Sequence, residues 1–380
     1  MTLETRYNKV EFRIEIRDRS FNVLEILDSQ VAEVVFDYGR VGGCGEFSFR
    51  LPRKYCDEKY ISGGFNIRIY IWNEATAVFD LWYQGRVGEK IPAIEGQNEY
   101  IDVVGHGYQS QLAQIQFQDS YTSMEASAIV KDILDNYIVG VKDITYSAPD
   151  IENTGYVIDQ IDFNTDVQSA LQTIADIVGA REWGVDMNRK LFFKARSTTP
   201  GLYFTLGGRV RNFVENQDFE AIVNHVFIQG GDVAGTPYQI EYDDLPSQAK
   251  YGRQDKVIQN SSITTEAVAS QLAQSTFNDY NDVIRKANCE IVGVKQRIEA
   301  SLPIPLFVLI ADSAIPYGVQ TYGTFLYSGL INRQVNRIQY TIDRNKSFKT
   351  SLDLGFLLPD DADYISRLQY SVEQLRTANL

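Results

Sequence analysis

The chain has 380 residues, too many for one ordinary hydrophobic core, and a prior of roughly 100–200 residues per domain predicts two or three domains. Hydrophobic content of 44% is that of a globular protein, no stretch approaches the roughly 18 apolar residues of a membrane span, and the charged opening MTLETRYNKVEFRIEIRD lacks a signal-peptide core, which predicts a protein made and kept in a cytoplasm. A net charge of −14 opposes sequence-specific nucleic-acid binding, which needs a basic surface, yet suits a conduit through which DNA slides without adhering.

The first hundred residues alternate apolar and polar side chains in short runs bounded by Gly, Asn, Asp or Pro. VEFRIEIRD (Val10–Asp18), FNVLEIL (Phe21–Leu27), VAEVVFDY (Val31–Tyr38), GEFSFRLP (Gly45–Pro52), NIRIYIW (Asn66–Trp72), FDLWYQGRV (Phe79–Val87) and YIDVVGHGY (Tyr100–Tyr108) read as strands of a sandwich or barrel. The cluster Gly42, Gly43 and Gly45 precedes a strand rather than a helix, so it predicts a turn or bulge with positive φ, not a phosphate cradle.

Composition then shifts. Ala126, Ile129, Val130, Ile133, Leu134, Tyr137 and Ile138 fall at helical spacing, as do Val167, Ala170, Leu171, Ile174, Ala175 and Val178. For the second helix Asn164 or Thr165 is the expected N-cap, with Asp166 in the first turn and Gly179 as terminator. REWGVDM and KLFFKAR predict a hairpin turning near Asn188, so residues 118–196 form a small α+β unit, and Ser197–Gly201 reads as its exit linker. Strands resume at Leu202, the polar stretch Asp232–Lys250 reads as a loop, and Thr264 or Thr265 caps a third helix running to about Tyr280. Further strands end in a hairpin turning at Asp343–Lys346. The last segment, Asp360–Leu380, predicts a helix whose Ile365, Leu368, Val372 and Leu375 form a short apolar seam, a candidate partner or trimer interface.

Chemistry finds few seats. His106 and His225 are the only histidines, one between glycines at a strand end and the other alternating with Val223 and Phe227, and both read as structural. Cys44, Cys56 and Cys289 sit at unrelated spacings that support neither disulfides nor zinc. No nucleophile elbow, HExxH helix or P-loop occurs. Asp243 and Asp244 read as a solvated loop and Asp360, Asp361 and Asp363 as a helix N-terminus. A glycan-binding or glycan-hydrolysing protein would instead need a cleft lined by Trp72, Trp82 or Trp183 with two carboxylates. No catalytic residue, cofactor or metal site is expected.

Four segments, in order, resemble the tail hub family of tailed phages, which includes baseplate hubs and the N-terminal part of tail-associated proteins. They are GGCGEFSFRLPRKY (Gly42–Tyr55), IVNHVFIQGG (Ile222–Gly231), DKVIQNSSITTEAVASQLAQ (Asp255–Gln274) and INRQVNRIQYTIDRNKSFKTSLDLG (Ile331–Gly355). The resemblance spans nearly the whole chain. It implies an α+β, mainly antiparallel β fold with two tail-tube-like β-barrels, residues 1–117 and 197–357, an inserted α+β unit at 118–196 and a C-terminal helix at 358–380. It further implies a homotrimeric virion protein, assembled in the host cytoplasm, that joins a sixfold tail tube or distal tail protein to threefold fibre, spike or tip proteins, with tape-measure protein and genomic DNA in its lumen. Many relatives continue into peptidase, lysozyme or receptor-binding modules; a chain stopping at Leu380 leaves those roles to docking proteins. A hexameric distal tail ring is the alternative within the same particle.

Overall fold

The computed structural model describes residues 9–28, 30–95, 98–196, 202–206, 210–291, 307–312 and 330–355. Seven strands come first: β1 (Phe12–Arg17), β2 (Val23–Leu27), β3 (Ala32–Gly39), β4 (Gly42–Pro52), β5 (Asn66–Asn73), β6 (Val78–Glu95) and β7 (Asn98–Gly107). A middle stretch follows with β8 (Gln116–Glu125), α1 (Ala126–Tyr137), β9 (Val157–Asp166), α2 (Val167–Val178), β10 (Arg181–Val185) and β11 (Leu191–Ala195). Beyond it lie β12 (Leu202–Leu206), β13 (Val210–Asp218), β14 (His225–Val233), β15 (Thr236–Asp243), α3 (Leu245–Tyr251), β16 (Asp255–Gln259) and α4 (Glu266–Tyr280). The last strands are β17 (Ile284–Ile291), β18 (Phe307–Asp312), β19 (Leu330–Ile342) and β20 (Phe348–Gly355). The fold is α+β and mainly antiparallel β, as the alternation predicts.

The first and last groups of strands form one sheet, ordered β18-β12-β13-β17-β20-β19-β3-β4-β7-β6-β5-β1-β2. The seam is the antiparallel pairing of β3 with β19, from Val34↔Ile342 to Gly39↔Arg337. Val34, Phe36, Ile338 and Ile342 alternate inward on the two strands and are buried, so joining the strands removes two open edges and closes one apolar face. Tyr340 then packs against Phe36 and Trp82, each with ring centroids 5.2 Å away, and Trp82 against Phe348 at 5.6 Å. Of the two barrels implied by the resemblance, the first group of strands is an open run among the described residues, while the pairings of the second run β12-β13-β17-β20-β19-β18 and back to β12. β2 ends the sheet, paired only with β1, and in the second group β18 bridges β12 and β19 while β12 meets β13 at the single pair Leu206↔Val210.

Two hydrophobic cores result. One draws on residues between Val10 and Val103 together with Met187 and Ala287 to Leu354, and the other on the remaining buried residues between Tyr108 and Ile284. The second core takes in the antiparallel pair β8–β9, α1, α2 and α4, with α2 packed on α4 and the three-stranded sheet β15-β14-β16 alongside.

Local expectations hold at several ends and fail at others. Gly42 and Gly43 adopt φ of 92° and 78°, the conformation anticipated for the glycine cluster. α2 spans its predicted range, but Asp166 is its N-cap, its carboxylate accepting from the Ser169 N–H at 2.9 Å, because the residues before it continue β9. The stretch Asp232–Lys250 is not a loop. It holds most of β15 and α3, since Tyr238, Ile240 and Tyr242 alternate toward the core between polar neighbours, and Asp244 caps α3 through the Ser247 N–H. Asp243 is likewise a strand residue, bonded to His225 at 2.9 Å. The predicted linker Ser197–Gly201 and the terminal helix lie outside the described residues.

Candidate subunit interface

On β1, Phe12, Ile14 and Ile16 point into the core, which places Arg13, Glu15 and Arg17 on the opposite face. The same alternation on β5 sends Ile67, Ile69 and Ile71 inward and Arg68, Tyr70 and Trp72 outward. Register sets Arg13 opposite Tyr70, Glu15 opposite Arg68, Arg17 opposite Asn66 and, one strand further, Asn66 opposite Arg86. The outer face thus collects arginine and aromatic side chains that are distant in the chain.

Its geometry is tightly organised. The Arg13 guanidinium lies 4.7 Å from the Tyr70 ring and 4.8 Å from that of Phe79, and Phe79 packs edge-on against Trp72 at 5.1 Å. Glu15 accepts from Arg17 Nη2 at 2.7 Å and sits 3.4 Å from Arg13. The loop after β1 folds back, so that Arg19 Nη2 donates to the Gly63 carbonyl at 3.0 Å and Arg86 Nε to the Gly64 carbonyl at 3.3 Å. The Arg189 guanidinium, from the β10–β11 turn, covers the Phe21 ring at 4.2 Å. Arg19, Arg68, Arg86 and Arg189 form no ion pair among the described residues. At the free sheet edge beside them, Val23, Leu24 and Ile26 are exposed, Ile26 by 54%. Arginine, tyrosine and tryptophan beside apolar residues is the composition of protein interfaces.

A polar line runs from this face across the sheet. His106 is opposite Arg86 on one side and Glu46 on the other, with Nδ1 3.2 Å from Glu46 Oε1. Asp37 accepts from the Glu46 N–H and from Arg337 Nε at 3.0 Å, tying β3 to β19. Burial pushes the Asp37 carboxyl up while Arg337 acts against it. The bond to Glu46 raises His106 above its ordinary value, with burial opposing and the charges of Glu46, Asp37 and Glu89 adding to the rise. A histidine raised in the folded state adds stability that is complete below its unfolded pKa and lost as pH rises through the folded one. His106→Gln is therefore expected to remove a stability loss that sets in above about pH 6.5; equal slopes for both proteins in chemical denaturation across pH 5–9 would refute it.

The remaining sequence candidates are dispersed. Trp82 and Trp183 are buried in different cores and Trp72 lies on the outer face, so they line no common cleft. His225 is buried beneath Asp243 and Glu241. Ile365, Leu368, Val372 and Leu375 lie outside the described residues. The arginine face escaped the sequence reading although FRIEIR and NIRIYIW each carry its alternation, because only the β1–β5 pairing brings the two runs together.

No known protein family and no curated protein matches the sequence. Solved structures match it in fold. The tail protein from Neisseria meningitidis MC58 aligns with a TM-score of 0.62 at 14% identity, over 91% of this chain and 97% of that one. This chain has the fold of a phage tail protein. The 43 kDa tail protein of prophage MuSo2 from Shewanella oneidensis aligns at 0.60 with 14% identity, over 91% and 98% of the two chains. Prophage tail protein gp18 from Listeria monocytogenes EGD-e aligns at 0.53 with 10% identity, over 96% and 99%. Because these alignments run nearly end to end, the tail-protein fold takes in both the sheet that carries the arginine face and the inserted middle stretch.

Proposed function

We propose that this chain is a structural hub subunit of a phage tail tip or baseplate, assembling as a homotrimeric ring between the tail tube and the tip, fibre or spike proteins. The observation that carries the reading is the near end-to-end match in fold to phage tail proteins. The architecture supports it. Two groups of strands from opposite ends of the chain lie side by side in one sheet, so a single subunit offers two related surfaces to a ring above it, and three subunits offer six. Residues 1–117 and 197–357 would supply those surfaces and 118–196 would fill the space between them. In this reading the lumen passes DNA without specific contact, the seam Ile365, Leu368, Val372 and Leu375 serves docking proteins, and no chemistry is catalysed.

Copy number in an intact particle tests the proposal. A reconstruction without imposed symmetry is expected to show three copies around the tail axis. Six copies would replace the hub with a distal tail ring, and absence of the chain from the tail would overturn both. Incubation of the purified chain with cell-wall material is expected to release neither sugars nor peptides, and release of either would contradict the structural role.

A further inference from the structure

The arginine face has a counterpart elsewhere on the same chain. The three-stranded sheet β15-β14-β16 is covered on one side by α4, and its other side is open. On that open side the register aligns His225 with Asp243 and Asp255, and Phe227 with Glu241 and Val257. The side chains of Glu241, Asp243 and Asp255 are exposed by 58%, 46% and 59%, and the neighbouring cation is Arg253, which bonds Asp255 at 2.6 Å. Three carboxylates against one arginine leave this face acidic. It surrounds an apolar centre of Phe227 and the exposed Val257. The arginine face is its complement, with Arg13, Arg17, Arg19, Arg68, Arg86 and Arg189 set against Glu15 and Asp18 around an apolar centre of Tyr70, Trp72 and Phe79.

We propose that the arginine face of one copy docks on the Glu241–Asp243–Asp255 face of a second copy, in a head-to-tail contact. The proposal rests on the ring reading above and names the surfaces that build the ring. Charge complementarity selects the occupant. In a chain of net charge −14, four arginines that form no ion pair among the described residues lie on one patch and exposed carboxylates on another, and guanidinium forks bind carboxylates in planar, directional pairs. Self-pairing of either patch across a twofold axis would set like charges against each other, whereas joining unlike patches is heterologous and closes into a ring when the rotation permits. The two faces belong to different sheets of the chain, one at the β2 end of the large sheet and one on the small sheet of the second core, so a copy can engage a neighbour through each.

The experiment compares the full chain with R68E/R86E, with E241R/D243R and with the variant carrying all four changes, each checked for folding by circular dichroism and thermal melting. Self-association is measured by sedimentation and native mass spectrometry, at low and high salt. The wild type is expected to form trimers that weaken as salt screens the contact. Each two-residue variant is expected to associate at least about tenfold more weakly, and the fourfold variant, with both charges exchanged, to regain trimers. Trimers undiminished in both two-residue variants would overturn the docking while leaving the ring reading intact. A folded fourfold variant that stays monomeric would overturn the pairing of these two faces. A wild type monomeric at every concentration would instead overturn the ring reading itself. Duplex DNA is the control ligand: R68E/R86E that loses DNA binding yet assembles as the wild type does would assign the arginines to nucleic acid.

Discussion

Arg40→Met is expected to destabilise the protein by about 3–5 kcal/mol in chemical denaturation at about pH 9, where Glu182 is ionised, the usual cost of removing one partner of a buried ion pair. Arg40 lies in the β3–β4 turn, its N–H held at 2.8 Å by the Asn336 carbonyl, and Glu182 is on β10. The two side chains approach to 3.7 Å where the large sheet meets the second core, and are 3% and 0% exposed. Burial pushes the Glu182 carboxyl up to about 8, with the Arg40 and Arg196 guanidiniums acting against that rise. Above that value Glu182 is ionised, and without Arg40 it keeps only the Arg196 guanidinium against burial, which leaves a poorly compensated buried charge. Arg40→Met combined with Glu182→Leu should recover much of the loss, since two apolar side chains leave no orphaned charge. A single variant as stable as the wild type would show that the tie contributes nothing.

The second large effect is expected from Gly43→Ala. β4 and β10 meet in a short parallel pairing, Gly42↔Gly184 and Gly43↔Val185, a direct backbone link between the two cores. Gly43 has φ of 78°, and a Cβ there would lie inside the van der Waals shell of the Val185 carbonyl oxygen. The substitution therefore combines left-handed backbone strain of about 1–2 kcal/mol with a clash against backbone that has no rotamer to move. A total loss of about 3 kcal/mol or more is expected. Gly140→Ala is the control, because φ there is 80° while nothing lies within 4 Å of the added methyl, so only the strain remains. Equal losses in the two variants would remove close packing as the reason for glycine at position 43.

Both effects concern the joint between the two cores, and the joint is where sequence and structure part. Strand runs such as FRIEIR and NIRIYIW announced themselves because a half-buried strand must alternate, and α2 because Val167, Ala170, Leu171 and Ile174 share one helical face. The glycines at 42 and 43 were legible as positive-φ positions for the same local reason. β15 was not, since its inward Tyr238, Ile240 and Tyr242 are half-buried and its outward residues polar, which leaves a weak signal. Glu182 gave no sign of burial, because an acid in a strand is ordinarily the solvent-facing half of the alternation.

What the sequence by itself determined is the local menu: strands, helices, their faces, and a surplus of acid that turns any basic patch into a feature. It also yielded the resemblance to tail hubs, from four motifs in order. Only the tertiary structure decided that β3 finds β19 and thereby fuses two groups of strands into one sheet, and that β1 finds β5 and gathers arginines from residues 13, 17, 68 and 86 onto one face. The physical reason is that alternation fixes which side of a strand is buried but not which edge it pairs with. That choice depends on contacts up to some three hundred residues apart, such as Asp37 with Arg337, which no local pattern encodes.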